Sequence, residues 1–139
     1  DGNVIMVGRE RFEAPECLFN PNLLDIEMPG ISELLFEAVN ESPMDCQKAL
    51  VNNVILTGGT TMFPGLSSRV EKDLKEIYVR EKFDGDKSGL KRVNICVRDP
   101  PRRKHGVFSG ASFLANCSDA AWITKKSYSE IGVKVFQRR

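Results

Sequence analysis

The chain has 139 residues, 41% of them hydrophobic and 28% charged, with a formal net charge of +1. That length supports one domain with a real core, and near-neutrality leaves no field to attract nucleic acid or an anionic membrane. No apolar run approaches the roughly 20 residues needed to cross a bilayer. Cys17, Cys46, Cys96 and Cys117 are too scattered for a zinc site or a disulfide framework. They read as buried free thiols of a reducing cytosol.

In chain order, Asp1-Gly2 is a hairpin-turn signal whose first strand would lie upstream, so the chain is expected to be a fragment. Val4–Val7 reads as a short apolar strand closed by Gly8. Ile31, Leu34, Leu35, Ala38 and Val39 fall at helical spacing, on a helix that starts near Pro29-Gly30 and is stopped by Pro43. Met44 to Val51 makes a second, shorter helix, and Val54–Leu56 reads as a buried strand. After Pro64, Leu66, Val70, Leu74 and Ile77 mark the apolar face of another helix, with Arg69, Glu71, Lys72, Asp73 and Lys75 on its wet face. Residues 80–92 are polar, contain Gly85 and Gly89, and read as an exposed loop. Val93, Ile95 and Val97 alternate with Asn94 and Cys96 as a half-buried strand. Gly106–Ala115 reads as a helix whose Gly110, Ala111 and Ser112 permit close packing. A last helix near Thr124–Ile131 has Thr124 as its N-cap and Gly132 as its stop. The pattern is mixed α/β, without repeats.

The chemistry-bearing stretch is Val54-Ile-Leu-Thr-Gly-Gly-Thr-Thr-Met-Phe-Pro-Gly65. An apolar run that ends in glycines reads as a strand entering a sharp turn. Gly58 and Gly59 lack a Cβ, so the backbone there can adopt positive φ and lie against a ligand. Pro64 suits the first turn of the following helix, whose free amides point back at the turn and suit a phosphate or nucleotide edge. Spacing alone leaves a purely structural turn as the commoner explanation. By spacing alone, too, Lys104 belongs with Arg102 and Arg103 to a solvated loop. His105, the one histidine, reads as a packing or surface residue. No Ser–His–Asp, Cys–His or paired-carboxylate arrangement is present, so this stretch carries no catalytic machinery of its own.

Leu56-Thr-Gly-Gly-Thr-Thr-Met-Phe-Pro-Gly65 resembles the adenosine-binding segment of actin and the actin-related proteins. Asp99-Pro-Pro-Arg-Arg-Lys-His105 with Gly106-Val-Phe-Ser-Gly-Ala-Ser112 is similar to the family's next block. Asp1-Gly-Asn-Val-Ile5, Glu10-Arg-Phe12, Pro15-Glu-Cys-Leu-Phe19 and Trp122–Gly132 match in the same order. The resemblance covers essentially the whole chain. The long link Val79–Arg92 and the Asp99–His105 block resemble the branch whose members are subunits of a complex that nucleates branched actin filaments.

The resemblance implies an actin-like ATPase (ribonuclease H-like) fold, of which this chain is the C-terminal third of a two-lobed molecule. Residues 1–30 would end the small outer subdomain of the second lobe, 31–99 would form its inner subdomain, and 100–139 would return to the first lobe. The implied cofactor is ATP, with Mg in the intact, weakly ATP-hydrolysing protein. Gly58, Gly59 and Thr60 would lie beside the sugar and α-phosphate, Met62 and Phe63 against adenine, and Lys104 over the adenosine side. Many members carry tyrosine where Phe63 stands, so stacking would survive without the hydroxyl. The phosphate-gripping hairpins and the water-positioning glutamine would come from upstream, so the isolated chain is expected to bind ATP weakly or not at all. Phe113, Leu114, Trp122 and Ile123 would border the cleft that receives amphipathic helices and neighbouring subunits, with core packing as the competing account. The implied partners are actin and the other subunits of a nucleating complex, in the cytoplasm and cytoskeleton. The alternatives are a conventional or divergent actin, or a sugar kinase or chaperone-type ATPase of the same superfamily.

Overall fold

The structure, a computed structural model, describes residues 2–117 and 122–138. The chain divides into two units, Asp1–His105 and Gly106–Arg139. In the first, α1 (Glu10–Glu16) and a 3-10 turn over Pro21–Leu24 lead to α2 (Ile31–Glu41) and α3 (Met44–Asn52). β1 (Val54–Ile55), a 3-10 turn over Gly59–Met62 and α4 (Leu66–Lys82) follow, then a 3-10 segment over Lys87–Arg92 and β2 (Val97–Arg98). β1 and β2 pair in parallel, Val54 opposite Val97 and Ile55 opposite Arg98. A parallel pair needs a long crossover, and α4 is its main element.

The core lies where α4 meets α2 and the sheet. Leu66, Val70, Leu74 and Tyr78 are buried with Val39, Val51, Ile95 and Val97. The helical period expected for α4 is therefore the packing face observed, and Leu74 at its centre is 0% exposed. Phe36 of α2 meets Tyr78 edge to face with ring centroids 5.2 Å apart, the arrangement that ring quadrupoles favour. Gly30 caps α2, its N–H donating to Glu33 Oε2 at 3.3 Å, and the Ile31 N–H donates to the Leu18 carbonyl at 2.9 Å. A Cβ on Gly30 would overlap the Phe19 carbonyl, so the approach of this loop to α2 requires glycine.

Arg69 ties α1 to α4. Its guanidinium donates to both carboxylate oxygens of Glu16 at 2.9 and 3.1 Å and to Asp73 at 3.0 Å, and it lies 4.8 Å over the Phe19 ring. The two carboxylates hold the Arg69 pKa above its ordinary value.

Several sequence expectations give way here. Val4–Val7 is not a strand: these residues are exposed, Met6 at 91%. A strand exists through its ladder, and the sheet among the described residues contains only β1 and β2. β1 is not buried on both faces, since Val54 and Leu56 are half-buried and Ile55 is 62% exposed. The alternation at Val93–Val97 marks the right side chains for burial, but the ladder itself is only Val97–Arg98. Residues 80–92 are not an open loop. α4 runs on to Lys82, and the Phe83 ring covers buried Gly89 so closely that a Cβ there would stand 2.5 Å from it. The cysteines are free, but none is buried; Cys46 and Cys117 are exposed.

The second unit contains α5 (Gly106–Ala115), α6 (Lys125–Ile131) and a 3-10 segment over Gly132–Arg138. Thr124 caps α6 as expected, its Oγ1 accepting from the Ser127 N–H at 3.1 Å, and Gly132 ends it at φ 65°. Tyr128 and Phe136 rings lie 6.2 Å apart. Neither α5 nor α6 has a buried residue, and the Gly110–Ser112 face is exposed, with open space where a Gly110 Cβ would point. The close packing that those small residues permit is not formed among the described residues.

Candidate functional site

β1 delivers Leu56, whose N–H donates to the Arg98 carbonyl at 2.9 Å, and the chain then turns sharply. Gly58 sits at φ 97° and ψ 163°, a region open essentially to glycine alone. Gly59 opens the 3-10 turn without a positive φ, so of the two glycines free to adopt one only Gly58 does. A Cβ on Gly59 would meet nothing within 4 Å, so space rather than strain characterises that position. Pro64 precedes α4 rather than sitting in its first turn. A residue before proline is driven from the helical region, and Phe63 is accordingly at ψ 130°. Gly65, at φ 79°, then caps the helix.

Thr61 closes the turn by donating its N–H at 3.2 Å and its hydroxyl at 2.8 Å to the Gly58 carbonyl. Gly59, Thr60, Met62 and Phe63 are exposed and Gly58 is half-buried. The loop 99–105 lies against this turn. The Gly58 N–H and the Thr57 hydroxyl both donate to the Arg103 carbonyl, at 2.9 and 3.0 Å. Arg103 Nε and Nη2 donate to the Thr61 carbonyl at 3.1 and 3.0 Å, and Nη1 lies 3.9 Å from Asp99 Oδ2. Lys104 and His105 follow, both exposed. Six expected site residues, Gly58, Gly59, Thr60, Met62, Phe63 and Lys104, therefore belong to two touching turns of one unit. Arg103 was not singled out by sequence. Its partner is a backbone carbonyl 42 positions away, and a carbonyl leaves no mark in sequence.

This surface offers an open backbone, the exposed Thr60, two apolar side chains and the exposed cations Arg102 and Lys104. Such a set can receive a planar polar ligand that carries negative charge. Among the described residues, no group of three or more His, Cys, Asp or Glu converges to hold a metal ion. A cavity of about 220 Å³ lies on the α1 side of Phe63, lined by Phe12, Pro15, Phe19 and Arg69 among others. A larger cleft of about 600 Å³ runs along α4 beside Val97 and Asp99 and is lined by none of the glycine-turn residues. Its charges are internally paired. Lys75 donates to Glu71 at 2.5 Å, and that contact, with the Val97 N–H at 3.4 Å, holds the Glu71 pKa below its ordinary value against the opposing effect of burial. A cleft so neutralised reads as a solvated groove. Phe113, Leu114 and Trp122, the last 67% exposed, and half-buried Ile123 all lie in the second unit.

Comparison with known proteins gives the context. The actin family model matches residues 1–139. The chain is 43% identical to actin-related protein 2 of Acanthamoeba castellanii over 99% of its length and 36% of that protein's. It is 45% identical to actin-related protein 2 of Saccharomyces cerevisiae, over 95% of this chain and 34% of the relative. It is 44% identical to actin-related protein 2 of Drosophila melanogaster, over 99% and 35%. It thus spans about a third of the length of each of these relatives. A family model matched from end to end implies the actin-like ATPase fold, and the observed helices with a small parallel sheet accord with it. The chain belongs to the actin family.

Proposed function

We propose that these residues form the adenosine side of an ATP site in a two-lobed, ribonuclease H-like protein of the actin-related class. The observation that supports the reading most is Gly59: no strain and no neighbour explains a glycine there, whereas a ligand lying on its backbone would. Gly58, Gly59 and Thr60 would carry the sugar and α-phosphate, Met62 and Phe63 would face adenine, and Lys104 would close over the ligand. ATP supplies the phosphate chemistry, and its Mg²⁺ would be held by groups outside these residues. On this reading the chain is the C-terminal third of the molecule. Residues 1–30 end an outer subdomain, 31–99 form an inner one, and 100–139 return to the first lobe. The protein acts by assembly, as a cytoskeletal subunit of a complex that nucleates branched actin filaments, with Phe113, Leu114, Trp122 and Ile123 bordering a partner cleft.

The test is ATP affinity of full-length variants. Gly59→Val fills the space a ligand needs and is expected to lose the most. Phe63→Ala removes a flat face and loses less. Lys104→Ala loses least, about 1 kcal/mol or below, because its contact is screened by solvent. Unchanged binding by Gly59→Val, shown to be folded, would make the turn structural only.

A further inference from the structure

Resting on the nucleotide reading above, we propose that Arg103 is a positioning residue that sets the glycine turn and Lys104 in one geometry without itself touching the ligand. Arg103 holds both ends of the turn. Its carbonyl accepts from the Thr57 hydroxyl at 3.0 Å and the Gly58 N–H at 2.9 Å, where the chain leaves β1. Its guanidinium fork reaches the other end, donating from Nε and Nη2 to the single Thr61 carbonyl at 3.1 and 3.0 Å.

The side chain is only 13% exposed, unlike the Lys104 beside it, so this fork works where competition from water is weak. Asp99, 3.9 Å away at the start of the same loop, completes the charge balance and is itself held by the Ser67 hydroxyl of α4 at 3.0 Å. Two loops separated by more than forty positions in sequence are thus fastened through one residue. Lys104, the next residue along, inherits its position from that fastening. A lysine on a free loop would have to give up its own freedom and that of its backbone on binding, and the Arg103 fork removes the backbone part of that cost in advance. The fork also predicts that lysine will not substitute at 103: an ammonium has no planar pair of donors to place on one carbonyl.

The experiment is a double-mutant cycle on ATP affinity in the full-length protein, with Arg103→Ala, Lys104→Ala and the pair. Amide hydrogen exchange at Gly58 is measured without nucleotide. Arg103→Ala is expected to weaken ATP by about 10-fold and to speed Gly58 exchange, while the second change, Lys104→Ala, adds less than about 2-fold on that background. Arg103→Lys keeps the charge and the backbone carbonyl but loses the fork, so it is expected to behave nearly like alanine. If Arg103→Ala unfolds the protein, Arg103→Lys carries the cycle.

Fully additive losses from Arg103 and Lys104 would overturn the proposal, because a positioning residue and the group it positions cannot act independently. So would an Arg103→Ala affinity unchanged while Gly59→Val weakens ATP; that outcome leaves the nucleotide site standing and removes Arg103 from it. If Gly59→Val, Lys104→Ala and Arg103→Ala all leave ATP affinity unchanged, the nucleotide reading fails and the positioning role fails with it. Faster Gly58 exchange would then show only a structural clamp.

Discussion

The two adjacent glycines make opposite predictions on substitution by alanine. Gly58 sits at φ 97° and ψ 163°, where an L side chain costs about 1–3 kcal/mol of backbone strain. Alanine also restricts the unfolded chain, which returns about 0.4–1 kcal/mol. The net expectation for Gly58→Ala is a loss of about 1–2 kcal/mol, all of it from backbone geometry, since a Cβ there meets nothing within 4 Å. Gly59 has neither a positive φ nor a neighbour within 4 Å, so only the unfolded-state term remains. Gly59→Ala should therefore be neutral or stabilising by about 0.5 kcal/mol. Urea unfolding of the nucleotide-free, full-length protein measures both, with equal slopes required so that midpoints report stability. With ATP present at about 100 times its dissociation constant, a binding-competent protein gains about 2.7 kcal/mol. Gly59→Ala should forfeit part of that gain while matching the parent without nucleotide. If Gly59→Ala destabilises the nucleotide-free protein as much as Gly58→Ala, protein rather than ligand occupies the space beside Gly59, and the argument for the site collapses.

Three further outcomes test the packing. Leu74→Ala empties the centre of the α4 face and should cost about 3 kcal/mol in urea unfolding, whereas a loss below about 1 kcal/mol would mean that this core is not formed as described. Gly30→Ala would drive a Cβ into the Phe19 carbonyl, which belongs to backbone and cannot swing away, so a loss of about 2 kcal/mol or more is expected; a neutral result would mean that the loop does not lie against α2. Glu71 titrates below its ordinary 4.5 because Lys75 and the Val97 N–H favour the carboxylate. Its stabilising contribution is thus complete above 4.5 and is lost as pH falls through the folded value. The stability difference between the parent and Glu71→Gln should shrink on acidification; a pH-independent difference would show that the pair does not form.

What the sequence reveals here, and what it conceals, follows from which atoms make each contact. The α4 helix is legible because Leu66, Val70, Leu74 and Ile77 recur at the helical period and one core lies along that face. The Thr124 cap and the Gly132 stop are legible because both act on neighbours in sequence. Val4–Val7 misleads because apolar side chains announce a strand, while a strand's existence depends on a partner ladder that local sequence does not contain. Helix α1 is missed because Pro15 lies inside it, where proline normally argues against a helix; here it falls in the last turn. Segment 83–92 looks like loop because its polar residues hide a short 3-10 turn capped by Asp86 and one ring, Phe83, laid on one glycine.

The glycine turn shows the same division within a single site. The sequence identifies two glycines but not their different roles. Gly58 is needed because the backbone bends through a region other residues avoid, and Gly59 is left open at a surface. Arg103 is hidden more deeply, because Arg102, Arg103 and Lys104 are three cations in a row and nothing in their types ranks them. The ranking comes from a carbonyl at Thr61 that any residue at that position would supply. A site whose parts are held together through backbone atoms can be recognised from sequence by the residues that face the ligand. The residue that holds them in register is found only from the geometry.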